Sequence, residues 1–351
     1  MPRVIVNAAR CVNARKTVCS RCADICHSHS IRLDGVPSID RLSCNDCGAC
    51  AAACPTDALA AFDSGRFLGR VRRMPKSASI VLGCKMVAGP GSDVVGIGHC
   101  FSALGADALM GLVALGFASV VFAHGDCAGC TDGDRLRGFE RMLEETANWL
   151  MVFDLRDGVR LERRRIPEAA GRQAQVDHSR RNFLSALFNG RREPGGSMSE
   201  KSPLSADAAP DKHANLVRQL RRIRRNHPIA PEPGRHPVQI ADTCNACGAC
   251  GAVCPTGALR CSSGENRFRV DHTPSKCLRC TLCVNVCAKK CITFNCDGYS
   301  LPLLDGTEVV ADFACLKCVR CNSASKELSK DGLCAICDKK KQIGTTNPVA
   351  K

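Results

Sequence analysis

The chain has 351 residues, 28 of them cysteine, with one Trp and one Tyr, and a formal charge of +15 from 49 Lys/Arg against 34 Asp/Glu. That length implies two or three domains and excludes the short disulfide scaffold that so many cysteines would otherwise signal. No run of 18 apolar residues occurs, and the first residues lack the apolar stretch of a secretory signal, so the pattern predicts no transmembrane helix and a cytoplasmic address.

The cysteines fall in tight runs. Neighbours that close are poor disulfide partners and good ligands for one shared metal centre. The sequence therefore points to a metalloprotein in a reducing compartment.

Residues 1–75 form a first Cys-rich module. Cys44, Cys47, Cys50 and Cys54, followed by Pro55, have the spacing C-x2-C-x2-C-x3-C-P. Upstream, Cys19, Cys22 and Cys26 are followed by His27, and Lys16 stands where that spacing requires a cysteine. Cys11 is the candidate replacement, reaching in from an enlarged loop.

Residues 76–157 read as an α/β domain. Ile80–Gly83, Val94–Gly98 and Ser119–Ala123 are short apolar runs of the buried-strand kind, and helices are predicted over roughly 101–115 and 133–150. Alternating strands and helices imply a parallel sheet. Cys84, Cys100, Cys127 and Cys130 stand at or just after the strand ends, where ligands of open sheets gather. They form either a metal or redox site, a C-x2-C dithiol, or, for Cys84 and Cys100, buried small hydrophobes. The Gly-rich stretch around Gly89–Gly98 leads into a strand, which does not fit a dinucleotide fingerprint.

Residues 158–236 read as a basic, partly disordered connector. Between Arg160 and His236 there are 17 Lys/Arg and 8 Asp/Glu, a net +9. Two basic amphipathic helices flank its Pro/Gly/Ser-rich centre, and the second places Leu216, Leu220 and Ile223 on one face. Ser179–Leu184 (SRRNFL) resembles a twin-arginine export signal, but no apolar stretch follows, so a basic helix is the better reading.

Residues 237–300 form a second Cys-rich module. Cys44–Leu59 and Cys244–Leu259 are identical at 12 of 16 positions, 200 residues apart. Cys277, Cys280, Cys283 and Cys287 repeat the spacing of Cys244, Cys247, Cys250 and Cys254, with Ala288 in place of Pro. In the tail, residues 301–351, two registers suit a zinc ribbon: Cys315/Cys318 with Cys334/Cys337, the better spacing, or Cys318/Cys321 with the same pair. A mononuclear iron is the rival occupant. Cys261, Cys291 and Cys296 remain unassigned.

The paired runs resemble the bacterial two-cluster ferredoxin, in which the fourth Cys of each run ligates the other cluster. The resemblance implies four [4Fe-4S] clusters, held by Cys244/Cys247/Cys250/Cys287, Cys277/Cys280/Cys283/Cys254, Cys44/Cys47/Cys50/Cys26 and Cys11/Cys19/Cys22/Cys54. For the last set, a [3Fe-4S] cluster or no cluster stays open. The middle segment resembles the delta subunit of methyl-viologen-reducing hydrogenase. That likeness implies a [2Fe-2S] cluster on Cys84, Cys100, Cys127 and Cys130. The fold class expected is two α+β ferredoxin-like modules flanking an α/β parallel-sheet domain, with a small zinc-ribbon-like tail. Since each cluster with its thiolates carries about −2, loading all four would reduce +15 to about +7.

The function expected is electron transfer, as a relay subunit or shuttle of a larger oxidoreductase of formate dehydrogenase, hydrogenase or heterodisulfide reductase type. Whether the chain is itself an enzyme stays open. An alternative is a disulfide or small-acceptor reductase using the middle cysteines. Nucleic-acid binding through the basic connector is weaker, because few aromatics are present to stack on bases.

Overall fold

The computed structural model describes residues 4–14, 19–87, 93–127, 136–166, 211–228, 238–264, 266–294 and 306–345. Cys130 and Cys296, the export-like Ser179–Leu184 and the centre of the connector lie outside them.

The first Cys-rich segment contains β1 (Ile5–Val6), α1 (Arg21–Asp24), β2 (Ile31–Asp34), β3 (Val36–Ile39), α2 (Ala49–Ala53) and β4 (Leu59–Ala60). β2 and β3 form an antiparallel hairpin turning at Gly35, whose φ of +90° suits a residue without Cβ. β1 pairs antiparallel with β4. α3 (Ser64–Val71) begins at Asp63, whose carboxylate accepts from the Arg66 amide, and buries Phe67, Leu68 and Val71 at helical spacing.

The centre is a four-stranded parallel sheet. β5 (Ser79–Gly83), β6 (Val94–Gly96), β7 (Ser119–His124) and β8 (Arg160–Arg165) stand in the order β6-β5-β7-β8. Leu82, Val120 and Phe122 are fully buried in one core with Leu109 and Leu112 of α4 (Ala106–Ala114) and Phe139 and Met142 of α5 (Leu136–Val152). β8 comes from the stretch whose charge reads as connector. Its four arginines suit a sheet edge, where charge discourages further strand pairing, and they hide the strand from a hydrophobicity pattern.

The second helix of that stretch is also packed. α6 (Asp211–Asn226) buries Val217, Leu220 and Ile223 against Met110, Leu150 and Phe153. Burial at this level contributes about 1.5–3 kcal/mol per side chain. A buried polar ladder fixes its register: Gln219 Nε2 donates to Asn215 Oδ1, and Asn215 Nδ2 to Asp107 Oδ2, each at 3.0 Å. The described part of the connector is therefore structural on one face and basic on the other.

The second Cys-rich segment has β9 (Val238–Ile240), α7 (Ala249–Val253), β10 (Leu259–Ser263), β11 (Arg267–His272), α8 (Leu282–Val286) and β12 (Ile292–Phe294). β10 pairs with β11 and β12 with β9, both antiparallel. Each Cys-rich segment thus runs strand, Cys run, strand, strand, Cys run, strand, with the inner strands paired and the outer strands paired. From the tail, β13 (Glu308–Ala314) adds a third strand beside β11. β14 (Leu316–Lys317), β15 (Ala324–Ser325) and α9 (Ala335–Thr345) complete the chain. The whole is a mixed α/β architecture. Among the described residues no helix is long and apolar enough to cross a membrane.

Candidate metal centres

Three of the four Cys runs share one backbone device. The second and fourth residues after the first Cys have positive φ: Asp46 and Gly48, Ala246 and Gly248, Arg279 and Thr281. Non-glycine residues adopt this region rarely, and several in one pattern indicate a functional loop. The turn aims successive amides at sulfur. The Ala246 amide reaches Cys244, Arg279 reaches Cys277 and Leu282 reaches Cys280. A second device recurs in all four runs, three residues after the last Cys: His29, Asp57, Gly257 and Lys290 all have positive φ. The run that lacks a cysteine at Lys16 keeps this exit turn.

The cysteines gather in crossed sets. Cys50 is flanked by Cys47, Cys44 and Cys26. Cys11, Cys19, Cys22 and Cys54 line one cavity. Cys254 stands with Cys277, Cys280 and Cys283. Cys244 stands with Cys247 and Cys250, while Cys287 joins this group through Cys291, 3.4 Å away.

The enlarged loop behind Cys11 is held by a residue the spacing argument passed over. Asn13, buried, donates to the Cys19 carbonyl at 2.8 Å and accepts from the Cys19 amide at 2.9 Å. This two-point clasp holds Cys19 close to the turn that follows Cys11.

Cys261 and Cys291, unassigned by spacing, both touch the Cys244 set. Cys261 Sγ lies 3.7 Å from Cys250 Sγ. Gly251 makes room for it, since a Cβ there would come within 2.9 Å of the Cys261 sulfur. The first module has Ala51 and Ala61 at the matching positions, so the extra thiol and the glycine occur together. Hydroxyls approach the last Cys of three runs: Ser28 at 3.7 Å from Cys26, Thr56 at 3.7 Å from Cys54 and Thr256 at 3.9 Å from Cys254.

Burial and neighbouring sulfurs push the thiols up, to about 12 for Cys22, Cys277 and Cys283. Such crowded thiols become thiolates when a metal replaces their protons. Four sulfurs per set, buried and met by backbone amides, suit a cluster held through thiolates.

The tail differs. Among the described residues, Cys318, Cys321, Cys334 and Cys337 alone form a group whose ligand atoms all lie within 4.8 Å of one another, a spacing for one ion rather than a cluster. This group holds the residues of the second sequence register, Cys318/Cys321 with Cys334/Cys337. Cys315 is buried instead beside Phe268 and Ala324, because β13 carries it into the second module's core. Cys321 takes its place in the group. Amides of Cys334, Cys321 and Arg320 hold the Cys318 thiol down to about 6, while the thiol contact with Cys321 leads the rise of Cys337 to about 12.

The middle cysteines have separate partners. Cys84 is buried in the sheet core, and Cys100 Sγ meets Ser102 Oγ at 3.6 Å. Cys127 Sγ lies 3.4 Å from His124 Nδ1. The same nitrogen is 2.8 Å from the Gly125 carbonyl, which only accepts, so Nδ1 carries the proton and cannot take one from Cys127. Cys84, Cys100 and Cys127 do not form a compact ligand group among the described residues.

Two stretches, residues 37–60 and 237–260, match the model of the 4Fe-4S binding domain family. Each spans one complete run with its flanking strands, β3 to β4 and β9 to β10. No curated protein matches the chain. The chain carries two 4Fe-4S binding domains, and with them the capacity for iron-sulfur electron transfer.

Proposed function

We propose that the protein is a multi-centre electron relay with four [4Fe-4S] clusters, serving as a subunit or shuttle of a larger oxidoreductase. The observation that carries this is the crossed grouping of sixteen cysteines into four sets, with the same exit turn after every run. On this reading Cys26, Cys44, Cys47 and Cys50 hold one cluster and Cys11, Cys19, Cys22 and Cys54 the next. Cys254, Cys277, Cys280 and Cys283 hold the third, and Cys244, Cys247, Cys250 and Cys287 the fourth. When bound, such a cluster accepts or gives one electron at a potential set by ligation, burial and hydrogen bonds to sulfur. The chain supplies those hydrogen bonds from its positive-φ amides and from Ser28 and Thr56, while the Thr256 hydroxyl donates to the Lys276 carbonyl at 2.7 Å. Cys318, Cys321, Cys334 and Cys337 hold a structural zinc of ribbon type. The packed, basic α6 and the arginines of β8 present a surface for an acidic redox partner.

Anaerobically purified protein should contain about 16 iron atoms with matching acid-labile sulfide, and about one zinc. Dithionite should reduce it with loss of visible absorption and appearance of electron paramagnetic resonance signals. Zinc without sulfide would sink the proposal.

Cys261 offers a finer test. With Cys250 bound as a thiolate, Cys261 S–H is the only donor available between the two sulfurs. That bond favours the more negative, reduced state. Cys261→Ala should keep the full iron content and lower one potential by tens of millivolts, at about 59 mV per 1.4 kcal/mol, in a redox titration.

A further inference from the structure

The two Cys-rich modules meet at a junction built from three distant segments. Arg21 lies between Cys19 and Cys22 in sequence and lines the cavity of Cys11, Cys19, Cys22 and Cys54. Its Nη2 leaves that cavity and donates to the Arg279 carbonyl at 2.6 Å. Arg279 is the positive-φ residue whose own amide reaches Cys277, and it directly precedes Cys280. The Arg21 charge also acts on the Cys280 thiol, opposing the rise that burial causes there. Arg21 therefore lines the cavity of a set in the first module while its guanidinium reaches the loop of a set in the second.

The first turn of α6 joins the same two sets by another route. Lys212 Nζ donates to the Cys54 carbonyl at 2.9 Å and to that of Ala51, and it pairs with Asp57 at 3.1 Å. The Lys212 amide donates to Asp57 Oδ2 at 2.9 Å. The next residue, His213, places Nε2 2.9 Å from the Ser275 carbonyl, two residues before Cys277. Consecutive residues of one helix thus hold Cys54 and the loop entering Cys277. α6 is itself locked to the sheet domain through Leu220, Ile223 and the Asn215–Asp107 bond.

We propose that this junction is an electron crossing between the modules, with Arg21 as its positioning residue. With clusters bound, the centre on Cys11, Cys19, Cys22 and Cys54 would exchange one electron with the centre on Cys254, Cys277, Cys280 and Cys283. One is oxidised by one electron as the other is reduced by it, with no bond or proton transferred. The inference rests on the relay reading above. Arg21 serves both centres alike, since its fixed positive charge offsets the extra negative charge each gains on reduction. The four centres then form a single path. Its ends are the Cys44 set and the Cys244 set, so donor and acceptor dock on different modules.

The test uses the full-length holoprotein. Arg21→Ala should retain iron and sulfide, lower two of the four potentials together, and weaken the magnetic interaction between modules in the fully reduced protein. Arg21→Lys should restore the potentials, because the charge returns. Unchanged potentials, or a shift confined to one centre, would overturn the junction while leaving the relay intact. Absence of iron and sulfide in the wild type would overturn the relay itself. Should Arg21→Ala lose iron, Arg21→Gln also removes the charge while keeping a polar side chain, and the same pair of potentials must still fall.

Discussion

Cys254→Ala is expected to remove about a quarter of the iron, and the centre lost should be the one nucleated by Cys277, 23 residues downstream, rather than the one beside it. The reason is where the chain turns. Cys254 ends the run that begins at Cys244, but α7 carries it away from Cys244 and Cys247 and sets it among Cys277, Cys280 and Cys283. Alanine is the substitution of choice, since a serine oxygen can itself bind iron. The pairing shows most clearly in doubles. Residues serving one centre are not additive. Cys254→Ala with Cys283→Ala should therefore lose no more iron than either alone, whereas Cys254→Ala with Cys250→Ala should lose about half of it. The reverse pattern, measured as iron per chain with spectra of the reduced protein, would rule out the crossed assignment.

The repeat was legible because cluster-type runs are local. Their spacing, their small residues and their prolines all lie within about a dozen positions. The parallel sheet was legible for β5, β6 and β7, whose residues are apolar on both faces. β8 was not, because an edge strand of arginines carries no hydrophobic signal. The role of α6 was half legible. Its apolar stripe was visible, but a stripe does not say what it covers, and the basic face suggested a connector rather than a brace. Cys261 and Cys291 had no spacing signal, since Cys261 stands within β10 and Cys291 just before β12, outside the runs whose spacing repeats. Gly251 beside Cys261, against Ala51 beside Ala61, was the trace left in the sequence. The clasp of Asn13 had none.

The tail offers two registers, and the one grouped in the structure is Cys318, Cys321, Cys334 and Cys337. Cys321→Ser should abolish metal binding by the tail, while Cys315→Ser should leave the metal in place. The geometry behind this is a pair of knuckles. Asn322, with φ of +57°, turns the chain after Cys321, and Gly332, with φ of +69°, turns it before Cys334. The Val319 amide donates to the Gly332 carbonyl at 3.0 Å, and a Cβ on Gly332 would press on Val319 Cγ1 at 3.0 Å, so the two knuckles are already in contact. Beyond the four thiols, the tail's own core is little more than Leu328 and Leu333. A structural zinc contributes about 10–16 kcal/mol in small domains, far more than two leucines at about 1.5–3 kcal/mol each. Loss of the metal should therefore unfold α9 and both knuckles, and limited proteolysis should cut the tail while sparing the iron-sulfur modules. Cys315→Ser puts a hydroxyl among Cys250, Phe268 and Ala324, where it costs about 1–3 kcal/mol as a lowered melting temperature of the second module. Zinc retained by Cys321→Ser and lost from Cys315→Ser would restore the other register and contradict the fold of the tail.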